Sequence, residues 1–214
     1  MTKISSKMYK ILAKFALLLN NFSYRWCTKF AIKAEGGLHP KHRLMDYHKF
    51  FMDNVRPNDM VLDIGCGNGS LTYDIAKKAK KVTGIDLNGN NMKIAQKVFS
   101  SPNIEYVIGD ATTYDFDKNF DVIILSNVLE HIDYRIEFLK KMVDIAPKIL
   151  IRVPMITRDW LTLYKKELGI EWRLDPTHYT EYTLESLSEE LHKAGLEIEN
   201  ASIQFGEIWV VGKK

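Results

Sequence analysis

A chain of 214 residues, 46% hydrophobic and 27% charged, is sized for one large domain, or one domain with an appendage, and has an ordinary globular composition. Its two cysteines, Cys27 and Cys66, supply no disulfide framework and point to a reducing, cytoplasmic setting. The net charge of +3 hides an asymmetry: residues 1–44 carry nine Lys and Arg against Glu35 alone, so the rest of the chain sums to −5, and a basic arm on an acidic body suggests an anionic partner such as a membrane surface or a phosphorylated substrate.

The arm is read first. Its apolar run ILAKFALLL is interrupted by Lys14, and no small-x-small cleavage site follows before NNFSYRW, so a signal peptide is not expected. No run approaches the ~18 uncharged apolar residues that a transmembrane helix needs. Ile4, Met8, Ile11, Leu12, Phe15, Leu18, Leu19 and Phe22 recur at three- and four-residue steps with lysines between them, which predicts an amphipathic helix. Such a stripe packs on its own domain, caps an active site, or docks on a membrane surface through residues 4–30. EGGLHPKHR (35–43) reads as a turn-rich joint and Leu44–Asn54 as a short helix. The expected division is a basic helical extension over 1–44 and a catalytic-type domain over 45–214.

From Met60 the pattern becomes regular. Apolar β-runs fall at 60–64, 81–85, 104–108, 121–125 and 148–153, with helical segments at 69–79, 89–99 and 133–145 between them. Alternation of this kind implies βαβ units and a parallel sheet covered by helices on both faces. A long excursion over 154–182 precedes a helix at 183–194 that ends at Gly195. The last two β-runs, 196–204 and 207–212, are joined only around Gly206, too short a link for a parallel crossover, so they pair antiparallel.

The first β-run leads into VLDIGCGNGSL, which places Gly65, Gly67 and Gly69 at alternate positions behind Asp63. A triphosphate loop needs GxxxxGK and a Ser or Thr, and no lysine is there. The dinucleotide fingerprint is GxGxxG, whereas this loop is GxGxG with its third glycine one residue early. Two carboxylates add context. Asp86 ends the second β-run 21 residues after Gly65, where it can accept both ribose hydroxyls of a nucleoside, and Asp110 follows the third. A carboxylate at Asp110 suits an adenine amino group, with Ile85, Leu87 and Ala111 as apolar walls.

DxGxGxG after strand one, an acid after strand two and GDA after strand three resemble the class I S-adenosylmethionine-dependent methyltransferases. FDVIILSNVLEHI (120–132) is similar to the fourth-strand segment of their small-molecule branch. The resemblance implies a Rossmann-like, mostly parallel seven-stranded sheet whose seventh strand inserts antiparallel. It also implies roles. Asp63 and the Gly65–Gly69 backbone, Cys66 included as a small residue, would surround the methionine part of S-adenosylmethionine. Asp86 and Leu87 would hold the ribose side, Asp110 and Ala111 the adenine, and Asn127 would lie near the sulfonium. Rival readings are a non-catalytic S-adenosylmethionine-binding module recruited through the basic arm, and an NAD-dependent dehydrogenase.

The acceptor is less legible. A hydroxyl acceptor must lose a proton, and histidine is the natural base near neutral pH. His131, in LEHI, stands where the acceptor pocket of such enzymes begins, and His178 lies in the excursion that should cover it. His39 and His42 flank the joint, while His48 and His192 fall in helices. No tight histidine pair has an acidic partner at ligand spacing, so no metal site is expected. RVPMITRDW (152–160), with Glu171, Trp172, Arg173 and Asp175, suits either a polar, glycan-like or phosphorylated acceptor or a solvated insertion. The segment after strand four reads SNVLEH and lacks the Asn/Asp-Pro-Pro-aromatic motif of base methylation, so nucleic acid is an unlikely substrate. The expected activity is methyl transfer to a small or glycan-like acceptor, at oxygen.

Overall fold

The computed structural model describes residues 6–37, 39–116 and 119–214; Ile4 of the apolar stripe and Leu38 of the joint lie outside them. In chain order the elements begin with α1 (Ser6–Ala34), α2 (Lys41–Met45) and α3 (Tyr47–Asp53). The alternating part follows as β1 (Met60–Ile64), α4 (Ser70–Ala76), β2 (Lys81–Asp86), α5 (Gly89–Val98) and β3 (Ile104–Ile108). Then come β4 (Val122–Ser126), a 3-10 turn (Leu129–His131), α6 (Arg135–Ile145), β5 (Lys148–Pro154) and α7 (Trp160–Glu167). The chain closes with α8 (Leu184–Lys193), β6 (Glu197–Gln204) and β7 (Glu207–Lys213).

Three features differ from the sequence expectation. The apolar stripe runs on past Phe22, so α1 is one 29-residue helix. The helix expected over 44–54 is two, because Asp46 adopts a left-handed conformation (φ 47°) that no α-helix continues through. The excursion contains α7, started by the Asp159 carboxylate accepting from the Thr162 amide at 2.6 Å.

These elements form two compact units: the described residues of Met1–Asp46 with Asp159–Pro176, and Tyr47–Arg158 with Thr177–Lys214. In the first, α1 is tied to the excursion, Asn21 Nδ2 donating to the Glu171 carbonyl and Lys165 Nζ to Asn20 Oδ1, both at 2.9 Å. Met8, Ile11, Leu12, Phe15, Leu18, Leu19, Phe22, Trp26 and Phe30 of α1 are nevertheless exposed, and only Leu17 is buried. No described helix is long and apolar enough to cross a membrane.

The second unit holds a seven-stranded sheet of order β3-β2-β1-β4-β5-β7-β6. The first five strands are parallel; β7 runs antiparallel to both β5 and β6. From β1 the chain steps outward to β3, then returns to place β4 on the other side of β1. Right-handed crossovers on opposite headings put α4 and α5 on one face and α6 on the other. On the α6 face, Phe138, Leu139, Met142 and Val143 join Leu187 and Leu191 of α8 in a single core with the strands. Each such side chain contributes ~1.5–3 kcal/mol by leaving water.

Candidate active site

β1 and β4 are neighbours whose chains depart in opposite directions, and such a switch point leaves a crevice at the carboxyl ends of the strands. A cavity of about 820 Å³ occupies it. Its walls are Ile64 and Gly65 after β1, Ile85–Leu87 at the end of β2, and Gly109–Thr113 after β3. Asn127 and Val128 after β4, His131–Tyr134, Glu137, Phe138 and Lys141 from the α6 side, and Tyr179 complete it. Gly65, Asp86, Leu87, Asp110, Ala111, Asn127 and His131 therefore surround one space. Asp63, Cys66, Gly67, Gly69 and His178 are not part of that lining.

The glycine loop is shaped by contacts that exclude side chains. The Gly65 amide donates to the Ile85 carbonyl at 2.8 Å, and a Cβ at Gly65 (φ 65°) would sit 2.6 Å from Val128 Cγ2. Gly69 (φ 83°) precedes α4, where a Cβ would lie 2.5 Å from the Tyr106 hydroxyl and 2.8 Å from Ala95 Cβ. Asp86 organises the loop from the next strand: Oδ2 accepts from the Gly67 amide at 2.8 Å and Oδ1 from the Asn88 amide at 2.7 Å. Beneath the loop, buried Asp63 accepts from Thr72 Oγ1 at 2.6 Å. Burial pushes its carboxyl up to about 7, against the opposing pull of that hydrogen bond. The Cys66 thiol, raised by burial, lies 3.7 Å from Met92 Sδ.

The lining beside the loop carries further polar groups. Asp110 Oδ1 accepts from the Thr112 amide (2.9 Å) and hydroxyl (2.7 Å), an Asx-type turn that fixes the start of the loop after β3. Ala111 is buried beside it, whereas Leu87 is 70% exposed and forms a rim. Asn127 is left-handed (φ 57°), its amide donating to the Arg152 carbonyl at 2.8 Å. Its Oδ1 is buried and has no hydrogen-bond partner among the described residues. An orphaned buried oxygen is rare enough to mark a ligand position. With the glycine cradle, it makes the donor set fit a nucleoside with a polar tail.

His131 and His178 meet across 47 residues of sequence. Their ring centroids are 4.6 Å apart at 79°. His131 is exposed to the cavity and its Nδ1 pairs with Thr177 Oγ1 at 2.9 Å. His178 is buried, with Nδ1 3.0 Å from Glu181 Oε1, and Glu181 is also ion-paired with Arg158. The Tyr179 amide donates to the Glu130 carbonyl at 2.8 Å, stitching this loop to the 3-10 turn. Glu130 itself is fully buried, and desolvation pushes its carboxyl up to about 8. Glu181 and Glu130 were not singled out from sequence, because the fold alone brings Glu130 to His178 and buries both carboxylates. Tyr134 and Tyr179, also wall residues, have no sequence signal of their own.

The remaining histidines lie elsewhere. His48 pairs with Asp74 at 2.7 Å between α3 and α4, and exposed His192 with Glu197 at 2.8 Å. His39 and His42 belong to the first unit. The arginines around the excursion are engaged internally: Arg152 with Glu207, Arg158 with Glu181, and Arg173 with Glu171.

Comparison with known proteins follows the same line. A family model described as a methyltransferase domain matches residues 38–201. The chain is 30% identical over 116 residues to the probable cobalt-precorrin-6B C(15)-methyltransferase (decarboxylating) of Thermoplasma acidophilum, covering 51% of this chain and 57% of that protein. It is 32% identical over 128 residues to the ubiquinone biosynthesis O-methyltransferase of Paracidovorax citrulli, covering 56% and 50%. The chain thus spans about half the length of the curated relatives it matches. Among solved structures, magnesium protoporphyrin IX methyltransferase from Synechocystis, with bound S-adenosylhomocysteine, superposes with a TM-score of 0.61 at 20% identity, covering 81% of this chain and 82% of that one. An S-adenosylmethionine-dependent methyltransferase from Methanosarcina mazei also gives 0.61 at 20% identity, covering 77% and 96%. Fold, switch-point cavity and family model coincide: the chain belongs to the methyltransferase domain family, and its fold is that of the class I S-adenosylmethionine-dependent enzymes.

Proposed function

We propose that the chain transfers the methyl group of S-adenosylmethionine to the oxygen of a small, hydroxyl-bearing acceptor. The observation that carries this reading is the switch-point cavity, with Gly65, Asp86, Asp110 and Asn127 on one side and His131 on the other. Asp86 and Leu87 would hold the ribose, Asp110 and Ala111 the adenine, and the loop with Asn127 the amino-acid end. Bound there, S-adenosylmethionine supplies an electrophilic methyl. The chain's task is then alignment, worth much of the barrier when two reactants are held in register. Val128, Ile132, Tyr134, Phe138 and Tyr179 give the acceptor side apolar and aromatic surface, beside Asp133, Glu137 and Lys141. With the nearby arginines engaged by carboxylates, this favours a hydroxylated, partly apolar acceptor over a phosphorylated or strongly polar glycan. The acceptor's proton is lost beside His131 and His178. Incubation with radiolabelled S-adenosylmethionine and fractionated small molecules should label a product. Tight NAD binding with none of S-adenosylhomocysteine would refute this reading, and cofactor binding without turnover on any fraction would favour a binding module.

A second reading concerns α1. Nine large apolar residues at three- and four-residue spacing stay exposed on a helix whose polar positions carry Lys7, Lys10, Lys14, Arg25, Lys29 and Lys33. That pattern suits a helix lying in the interface of an anionic membrane, which would bring the site to an acceptor dissolved there.

A further inference from the structure

We infer that Glu130, His131 and His178 form a binding site for one first-row divalent cation, which opens on the cavity through His131. The three residues come from the 3-10 turn after β4 and from the loop before α8. Each offers one donor atom, and these atoms lie within 4.8 Å of one another. A cation about 2.1 Å from each would draw the donors to about 3.4 Å apart, a closure of about 0.6 Å for the Glu130–His178 pair at 4.0 Å and of at most about 1.4 Å for the others.

The independent sign of a ligand is Glu130. It is fully buried, and both carboxylate oxygens lack a hydrogen bond among the described residues. Buried polar atoms are nearly always satisfied, and a carboxylate left otherwise needs an explanation. A protonated Glu130 hydrogen-bonded to His178 does not provide one. Glu130 Oε1 and His178 Nε2 are 4.0 Å apart, beyond hydrogen-bond reach. A cation between them accounts for both the distance and the burial.

The surroundings match. His178 Nδ1 is held by Glu181, itself fixed by Arg158, so Nε2 is the atom turned toward Glu130. A carboxylate on the far nitrogen is what orients and strengthens metal-binding imidazoles. Thr177 fixes His131 through Nδ1 in the same way. Two imidazoles and one carboxylate select Zn²⁺, Co²⁺ or Mn²⁺ over Ca²⁺ and Mg²⁺, which prefer oxygen throughout. Three protein donors leave a coordination position open, and His131 places it at the cavity. An acceptor hydroxyl bound there would lose its proton to cavity water more readily, so the cluster would act through the cation rather than by either ring taking the proton. That last step rests on the methyl-transfer reading; cation binding does not.

The test uses the full chain, stripped with chelator and titrated with Co²⁺. Visible absorption bands should rise to one ion per chain, and Zn²⁺ should displace it. His131→Ala, at an exposed position, and Glu130→Gln should each weaken Co²⁺ at least tenfold. Absence of the bands up to millimolar Co²⁺, or equal affinity in wild type and His131→Ala, overturns the inference. S-adenosylhomocysteine calorimetry on the same metal-free samples keeps the two readings apart. Cofactor binding without Co²⁺ binding sinks only the cation site, whereas Co²⁺ binding without cofactor binding sinks the methyl-transfer reading.

Discussion

Asp86 combines two tasks in one side chain, because its oxygens hold the Gly67 and Asn88 amides while its carboxylate faces the cavity. Asp86→Ala should weaken S-adenosylhomocysteine at least tenfold by calorimetry, since one hydrogen bond to a charged group is worth ~1.5–3 kcal/mol. Retained affinity would remove the ribose assignment. Asp63 makes a different prediction. Its folded-state carboxyl is raised to about 7, so between about pH 4 and 7 the unfolded chain binds fewer protons than the native one. Stability from this group is therefore full below pH 4 and declines by up to ~1.4 kcal/mol per pH unit as pH rises through that window. Asp63→Asn keeps an acceptor for Thr72 and should flatten the decline in urea titrations between pH 5 and 7. An unchanged slope would show that Asp63 is ionised in the native state.

At the scale of elements, the β5–β7 pair is locked by a buried ion pair. Arg152 Nη2 donates to Glu207 Oε1 at 2.9 Å, Nη1 to Ser126 Oγ at 3.2 Å, and the guanidinium lies 3.8 Å over the Tyr47 ring. Glu207→Gln strands a buried cation and should cost ~3–5 kcal/mol in denaturant unfolding, whereas replacing both partners by Met should cost far less. An equal loss in both variants would mean that packing, rather than charge, sets the cost. This lock also shows where sequence reading stops. Strands were legible because parallel strands buried on both faces are near-continuous apolar runs, and the alternate glycines with Asp86 and Asp110 marked the cofactor side. Arg152 instead read as part of a polar acceptor segment, since nothing local announces a partner 55 residues away. His178 and Glu130 met the same obstacle: ligand spacing is a local measure, and their cluster is made by the Tyr179–Glu130 backbone bond. α7 was missed because its short apolar repeat sits among polar residues.

On the scale of the whole molecule, charge and exposed apolar surface coincide on the N-terminal helix. Phe15→Ser, Leu19→Ser and Phe22→Ser together should abolish co-sedimentation with vesicles containing phosphatidylserine while leaving S-adenosylhomocysteine binding intact. Raised salt should weaken the wild-type association, because the lysine contribution is screened within ~10 Å at 0.1 M. Association unaffected by the triple substitution would exclude this face as the contact. The order of the last two strands has a consequence of another kind. β7 lies between β5 and β6 although it is made after both. On a ribosome, residues 197–213 take about 1–3 s to be added. Until β7 is in place β6 has no strand to join, and Lys148–Pro154 presents an unpaired apolar edge of the type that neighbouring nascent chains capture. The second unit's sheet is therefore closed by its last strand, which enters between two strands already made, and until it does so both of its partners are open to mispairing.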